Sequence, residues 1–224
     1  MLICVMAVFE EEDLLPGALA SLVDSGVDRV YVFDGAWTGF GDGISRDRTR
    51  EIAGEYGAHV SAGCWSSQEA KRTAMFWLCG AGDGDHVFVF DADERLEGRF
   101  PDLDSEQHYN VLVKCVGPND LPGVRGEWPC GDYFPDWKPE LRVFAYSRSL
   151  ECRWPGGYWD AGGRIEPYAD PSGAPRLPVL DGVRFTHHGA ERSPERIARK
   201  LAYYRREHPR RAERQARAWE EAPW

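Results

Sequence analysis

The sequence predicts an α/β fold in which helices flank a mainly parallel central sheet. One observation is that short apolar runs rich in Val, Ile and Phe alternate with segments of helical periodicity over the first hundred residues. A second is that each helical segment is long enough to carry the chain back across the sheet, so successive strands can run parallel through right-handed crossovers. A third is that Gly residues end these helical segments.

The predicted elements of this half follow one another closely. The expected strands are 2–9, 30–33, 59–61 and 87–90. The expected helices are 10–25, 46–56 and 67–79. In the third helix, an apolar side is formed by Ala70, Ala74, Trp77 and Leu78.

The character of the chain changes after residue 100. Strands are expected at 108–116 and 141–146, but the stretch 117–182 is otherwise dense in Pro, Gly and Trp. Disordered segments are poor in aromatic residues, so we expect packed, functional loops in this stretch. From an N-cap at Ser193, with Pro194 in the first turn, one or two basic helices are expected to run to about Trp219.

Composition limits the class of protein. A chain of 224 residues with 42% hydrophobic and 29% charged residues is typical of a soluble globular domain. The six cysteines are scattered and form no C-x-x-C pair, which favours reduced thiols over a disulfide framework or a zinc site. The N-terminal run lacks the features of a signal peptide, and no apolar run reaches the ~20 residues of a membrane span. We therefore expect a cytoplasmic protein.

Charge is distributed unevenly. Between Arg184 and Arg217 there are ten Arg and one Lys against four Glu, a net charge of +7 in a chain whose net charge is −10. A basic tail on an acidic body indicates an anionic partner near the C-terminal helix, such as nucleic acid, a phosphorylated acceptor or an acidic membrane surface. The alternative is a solvated, Arg-rich helix face.

The most informative motif is Asp91-Ala92-Asp93-Glu94, which directly follows the apolar strand 87–90. Residues i and i+2 of an extended segment point the same way, so Asp91 and Asp93 can reach one hard cation such as Mg²⁺ or Mn²⁺. Open α/β sheets bind ligands at this carboxyl edge. The alternative is that both are turn or cap residues.

Several motifs in order resemble the nucleotide-sugar glycosyltransferases of the GT-A fold, close to the family-2 group. A first strand leads into an acidic turn at 9–13, a second strand ends at Asp34-Gly35, and 47–58 resembles the group's D-x-T-x-x-I-A-x-x-x-G-A segment. Asp-Ala-Asp-Glu with Arg95-Leu96 is similar to the lipopolysaccharide-core glycosyltransferase branch. The segments 139–144 and 185–189 resemble that branch's Arg-Leu-Phe strand and terminal histidine.

The resemblance implies a GT-A (Rossmann-like) fold within one structural domain. Its parts would be a donor-binding half at 1–100, acceptor-side strands and loops at 101–192, and a basic helical extension at 193–224. The implied activity is a metal-dependent, inverting transfer of a sugar from a nucleotide-diphosphate sugar, with a UDP-sugar favoured, to an acceptor hydroxyl. The acceptor could be a glycan, a lipid-linked sugar or a hydroxylated nucleic-acid base.

The resemblance also implies roles for particular residues. Mn²⁺ or Mg²⁺ would be held by Asp93 and Asp91, with Asp91 also at the donor, and by His187, which we prefer over His188. The first-strand tip, Phe9 and Glu10, would border the base and ribose. Asp34 would contact the base of the donor, and the alternative is that Asp34 is a turn residue. Lys71 or Arg72 would contact the ribose or the diphosphate, and the alternative is that both lie on a solvated helix face.

An inverting transferase also needs a carboxylate that takes the acceptor proton. The branch often has His-Glu after its Arg-Leu-Phe strand, where this chain has Trp159-Asp160. We therefore predict Asp160 as the base, and the rival carboxylates are Asp132, Asp136, Glu140 and Glu166.

Two other classes of function are compatible with the sequence. A nucleotidyltransferase also uses paired acids and Mg²⁺, but it normally has a Gly-rich phosphate loop directly after the first strand, where this chain has Glu10-Glu11-Glu12. A non-catalytic module that binds sugar or nucleotide would not need both Asp91 and Asp93.

Overall fold

The structure is a computed structural model, and it describes residues 1–115, 137–153, 157–161, 163–165, 177–188 and 194–207. The strands in these ranges are β1 Leu2–Val8, β2 Arg29–Asp34, β3 His59–Ala62, β4 His86–Val89, β5 Glu94–Gly98, β6 Tyr109–Cys115, β7 Lys138–Ala145, β8 Glu151–Arg153, β9 Gly157–Asp160, β10 Gly163–Ile165 and β11 Val179–His187. The helices are α1 Leu15–Ser21, α2 Thr49–Glu55, α3 Gln68–Leu78 and α4 Pro194–Glu207.

Eight of these strands form one sheet in the order β3-β2-β1-β4-β7-β6-β11-β5. The four N-terminal strands pair in parallel, with β1 between β2 and β4. β7 runs antiparallel to both β4 and β6, and β5 runs antiparallel to β11. The predicted α/β class with a mainly parallel sheet is thus confirmed.

Hydrophobic core packs on both faces of this sheet, so β1 is buried on both sides. Alternate β1 residues such as Cys4 and Met6 face a cluster that includes α1 and α2. Ile3 and Val5 face the other cluster, which includes Met75 and Phe76 of α3. The helix α3 thus covers one face of the sheet, and α1 and α2 cover the other. The carboxyl edge of the sheet lies between these two layers of helices.

Two parts of the sequence prediction were wrong in detail. The stretch expected to be mainly loops contains a three-stranded antiparallel sheet, in the order β10-β9-β8. These strands have only three or four residues each, too short for a periodic pattern to identify. The strand β5 after the Asp-x-Asp motif was also not predicted, because its mixed Glu-Arg-Leu-Glu-Gly sequence has one apolar residue.

The helices α1, α2 and α3 are shorter than predicted, and α3 buries a different face. Its buried side chains are Lys71, Thr73, Met75 and Phe76, whereas Trp77 and Leu78 are more than half exposed. The apolar side inferred for 67–79 was therefore wrong, since a buried lysine took a core position. Ser67 caps α3 by accepting a hydrogen bond from the Ala70 backbone N–H at 3.1 Å. The predicted extension of the last helix to Trp219 lies outside the described residues.

None of the helices in the described ranges combines the length and the apolarity needed to cross a membrane.

Gly98 lets β5 approach β11, and this gives a first prediction. Its φ is +93°, and a Cβ there would lie 1.9 Å from the backbone oxygen of Gly182. Gly57 also has a positive φ, of +73°, but a Cβ there meets nothing within 4 Å. Gly98→Ala should lower the free energy of unfolding by several kcal/mol, against about 1 kcal/mol for the control Gly57→Ala. Urea unfolding followed by circular dichroism measures both, and equal losses would contradict the steric account.

Candidate active site at the carboxyl edge of the sheet

The Asp-x-Asp motif forms a tight turn directly after β4. The Asp91 backbone N–H donates to Glu94 Oε2 at 2.9 Å, and the Glu94 N–H donates to the Asp91 carbonyl at 3.0 Å. Asp93 is buried, whereas the Asp91 side chain is 28% exposed. The turn therefore presents one carboxylate to solvent and holds the other inside the edge of the sheet.

His187 meets Asp93 from the end of β11. Its Nε2 lies 3.0 Å from Asp93 Oδ2, and β5 and β11 pair so that His187 is opposite Glu94. The neighbouring His188 instead places Nε2 3.2 Å from Thr186 Oγ1. The His188 backbone N–H donates to the Asp93 carbonyl at 2.6 Å, so both histidines lie at the Asp-x-Asp turn, and the His187 side chain faces the Asp93 carboxylate.

Arg142 of β7 joins three carboxylates at this turn. Its Nη2 lies 2.6 Å from Glu94 Oε1 and 2.9 Å from Glu140 Oε2, and its Nη1 lies 3.9 Å from Asp91 Oδ2. Burial raises the pKa of Glu94 to about 7, although Arg142 opposes this shift. Burial lowers the pKa of Arg142, but the three carboxylates raise it by more than burial lowers it. The net shift is upward, so Arg142 stays protonated.

Arg72 approaches Asp91 from α3. Its Nη2 lies 3.6 Å from Asp91 Oδ1, and its Nη1 donates to Tyr158 Oη at 3.0 Å. Tyr158 packs its ring on Phe144, with the ring centroids 4.6 Å apart. Tyr158 and Asp91 raise the pKa of Arg72, so a second permanent cation lies beside the turn. A solvated helix face, the alternative considered for Arg72, does not describe this position.

The predicted metal residues are only partly assembled. Asp93 and His187 are in contact, and Asp91 lies on the same turn, but no group of three or more His, Cys, Asp or Glu in the described ranges is arranged to hold a metal ion. A carboxylate pair with one imidazole is nevertheless a donor set that suits Mn²⁺ or Mg²⁺, which commonly complete their shell with water and substrate phosphate. The residues present fit a cation that is shared with a ligand.

The tip of β1 is covered by α4. Phe9 is buried, and the Arg199 guanidinium carbon lies 5.3 Å from the centre of its ring. Arg199 also forms an ion pair with Glu10, and Arg196 forms ion pairs with Glu11 and Asp13. Two of the basic residues of α4, Arg196 and Arg199, thus bind the acidic turn of the same chain, and the anionic partner expected near the C-terminal helix stays a prediction. The basic residues after 207 lie outside the described residues.

Asp34, at the tip of β2, is buried and organises the following loop. Ser45 donates to it twice, through Oγ to Oδ1 and through its backbone N–H to Oδ2 at 3.0 Å, and Arg50 Nε lies 3.5 Å from Oδ2. The predicted contact between Asp34 and a nucleobase stays a prediction. The structural role is the one that the described contacts support.

Lys71 is fully buried between the ends of β1 and β2. Its Nζ donates to the Val8 carbonyl at 2.7 Å and to the Gly35 carbonyl at 2.6 Å. Burial lowers the pKa of Lys71 to about 7, with Asp34 and Glu11 opposing the shift. A solvated helix face is excluded for Lys71, and its predicted contact with the donor stays a prediction.

Asp160 lies beside His108, and its assignment as the base stays a prediction. Its Oδ2 is 3.5 Å from His108 Nε2, and His108 Nδ1 accepts from the Ala145 backbone N–H at 3.1 Å. Ala145 pairs with His86, the first residue of β4, five residues before Asp91. At about 3.3 Å per residue, roughly 16 Å of chain separates His86 from Asp91. Asp160 thus contacts His108, whereas Glu140 contacts Arg142 at the Asp91–Asp93 turn.

Among the rival carboxylates, Glu140 reaches the site through Arg142, whereas Asp132, Asp136 and Glu166 lie outside the described residues. Sequence reasoning missed Arg142 and Glu94 as members of the site. A signal was present: a Glu directly after Asp-x-Asp at the end of an apolar strand needs a cationic partner once buried. The sequence could not say which Arg provides it.

No protein-family model matches the chain, and no curated protein sequence matches it. Solved structures similar to part of it include S. aureus TarS, with 17% identity and a TM-score of 0.38 over 57% of this chain and 24% of that one. Another is the M. tuberculosis glucosyl-3-phosphoglycerate synthase with Mg²⁺ and UDP, with 20% identity and a TM-score of 0.35 over 53% of this chain and 44% of that one. The chain thus covers less than half the length of either structure.

The buried Lys71 gives a prediction about pH. Because the pKa of Lys71 is near 7 in the folded chain and about 10.5 in the unfolded chain, the unfolded state binds more protons between these values. The contribution of Lys71 to stability should therefore rise as pH increases from 7 to 10. Lys71→Met should flatten this part of the pH dependence, measured as the melting temperature at each pH. The same slope in wild type and variant would contradict the lowered pKa.

Proposed function

We propose that this protein is a metal-dependent glycosyltransferase that moves a sugar from a nucleotide-diphosphate sugar to an acceptor hydroxyl, with inversion at the anomeric carbon. The observation that carries the proposal is the Asp93–His187 contact at 3.0 Å beside the partly exposed Asp91, at the carboxyl edge of a mainly parallel sheet. Two arginines flank this turn, which suits a ligand with several negative charges.

Asp93, His187 and Asp91 are the residues that would hold the cation. Asp93 offers an oxygen and His187 a nitrogen from two neighbouring strand ends, and Asp91 offers a second carboxylate. Mn²⁺ or Mg²⁺, when bound there with the donor, supplies positive charge that stabilises the departing diphosphate.

Arg72 and Arg142 would orient the diphosphate. Both guanidinium groups stay charged, and both lie within 4 Å of an Asp91 carboxylate oxygen, so they are held close to the place where phosphate charge develops. Cationic groups fixed in advance need no reorganisation when the bond to the leaving group breaks. Arg72 is therefore a predicted diphosphate contact, and Arg142 joins it.

Glu140 takes the place of Asp160 as the proposed base. Its side chain is 33% exposed and is held by Arg142, the residue that also contacts Glu94 and Asp91. As the acceptor oxygen bonds to the anomeric carbon and the bond from that carbon to the phosphate oxygen breaks, the acceptor proton would pass to the Glu140 carboxylate. The products are the glycosylated acceptor and the nucleoside diphosphate.

The donor is proposed to be a UDP-sugar, with UDP as the simplest probe. The acceptor is proposed to be a hydroxyl of a glycan, of a lipid-linked sugar or of a hydroxylated nucleic-acid base. The enzyme would use the 1–100 half for the donor and the 101–192 part for the acceptor. Much of the latter lies outside the described residues, so the experiments below begin with the donor.

Donor binding provides the first test. The melting temperature of the wild type should rise by several degrees with UDP and Mn²⁺ and should not rise with UDP and EDTA, because a ligand that binds the folded state stabilises it. Asp93→Asn should weaken Mn²⁺-dependent UDP binding at least tenfold. Asp83→Asn, the same change at an exposed loop position, serves as the control. No Mn²⁺-dependent shift with any nucleoside diphosphate would overturn the proposal.

Donor turnover provides the second test. Glu140→Gln should lower kcat for release of UDP from the UDP-sugar by about 10²–10⁴, the usual contribution of a positioned base, and leave UDP affinity within about twofold. Asp160→Asn, a matched loss of one carboxylate that lies beside His108, should change kcat by less than about threefold. A larger loss in Asp160→Asn than in Glu140→Gln would show that the base is not Glu140.

A further inference from the structure

One face of α4 carries a stripe of side chains that contact the donor half. Its members are Arg196, Arg199, Tyr203 and Arg206, spaced three, four and three residues apart, which places them on one side of a helix. Arg196 and Arg199 bind the acidic turn after β1, and Arg206 donates to the Gly39 carbonyl. Arg205 is exposed and belongs to another side of the helix.

The acidic turn is built to hold its carboxylates toward α4. Glu10 adopts a φ of +54°, which is unusual for a residue other than glycine. Its backbone N–H donates to Ser45 Oγ at 2.7 Å, and the Glu11 N–H donates to Thr49 Oγ1 at 2.7 Å. Strained backbone that is fixed by its surroundings is concentrated at binding sites.

The second half of the stripe meets an aromatic group in the loop after β2. The rings of Trp37 and Phe40 stack with centroids 4.2 Å apart, and Phe40 also meets Phe9 at 6.1 Å. Tyr203 packs edge-on against Phe40 at 5.4 Å and against Trp37 at 5.9 Å. α4 thus adds one aromatic ring and one guanidinium to a group of rings at the tips of β1 and β2.

We propose that α4 forms the outer wall of the nucleoside part of the donor site, with Arg199 and Tyr203 as nucleoside-binding residues. The inference rests on the proposed function, which places the base and ribose at the tip of β1. Nucleobases stack on aromatic rings and on guanidinium planes, and both are present here.

The sheet order separates this wall from the diphosphate. α4 contacts Phe9 and Glu10 after β1 and the aromatic rings in the loop after β2, whereas the Asp91–Asp93 turn follows β4 on the other side of β1. Arg196, with a side chain only 11% exposed, ties the helix to Glu11 and Asp13 and positions the stripe. Arg199 should therefore matter for the nucleoside and not for the phosphate–metal contacts.

Calorimetric titration of UDP and of pyrophosphate, each with Mn²⁺, into the full chain tests this division. Arg199→Ala should weaken UDP binding at least tenfold and change pyrophosphate binding less than about twofold. Arg205→Ala removes the same charge from the same helix and should leave both affinities within about twofold. Arg199→Lys keeps the charge beside Glu10 but loses the guanidinium plane, so it should weaken UDP binding several-fold even if the alanine variant is unstable.

The outcomes separate the two proposals. Equal UDP affinities in the Arg199 and Arg205 variants would contradict the proposal that α4 binds the nucleoside, but they would not contradict the proposed function. Parallel losses of UDP and pyrophosphate binding in Arg199→Ala would overturn the nucleoside assignment. If the wild type bound neither ligand in a Mn²⁺-dependent way, the proposed function would fail, and the wall with it.

Discussion

The ion pair between Arg142 and Glu94 is the interaction on which the candidate site depends. Glu94 is fully buried, and its two oxygens are used by Arg142 and by the backbone N–H of Asp91. Removing one member of such a pair typically costs ~3–5 kcal/mol, because the other charge stays buried. The pair links β7 to the turn between β4 and β5, so it fixes Asp91 and Asp93 in place. The same guanidinium then reaches Glu140 at the outer edge.

Buried polar groups hold the other strand tips in the same manner. Lys71 joins the carbonyls of Val8 and Gly35, and Asp34 receives two hydrogen bonds from Ser45. A buried polar group costs free energy unless it is paired, so each pairing selects one arrangement of its loop. The carboxyl edge is consequently a set of turns fixed by internal charges, with Asp91 and Glu140 left partly exposed. This arrangement suits a site that must receive a highly charged ligand without rearranging.

The basic helix α4 pairs with the acidic turn after β1. The acidic turn at 10–13 and the basic helix are far apart in sequence, yet Arg196 forms ion pairs with Glu11 and Asp13, and Arg199 forms one with Glu10. Part of the basic charge of α4 therefore serves an internal contact. An anionic ligand bound at this junction would meet a surface that already combines arginine and aromatic rings.

The sequence by itself determined the parallel half of the sheet, since apolar runs such as 87–90 and the glycines after each helix depend only on local patterning. It also located the Asp-x-Asp turn at the end of the strand 87–90. It could not place Asp160, because its level on the sheet is set by the short strands β8, β9 and β10, which carry no readable period. Nor could it pair Arg142 with Glu94, or bury Lys71, since the partner of a buried charge lies across the sheet. Only the tertiary structure decided these, because burial and long-range pairing depend on which strands become neighbours.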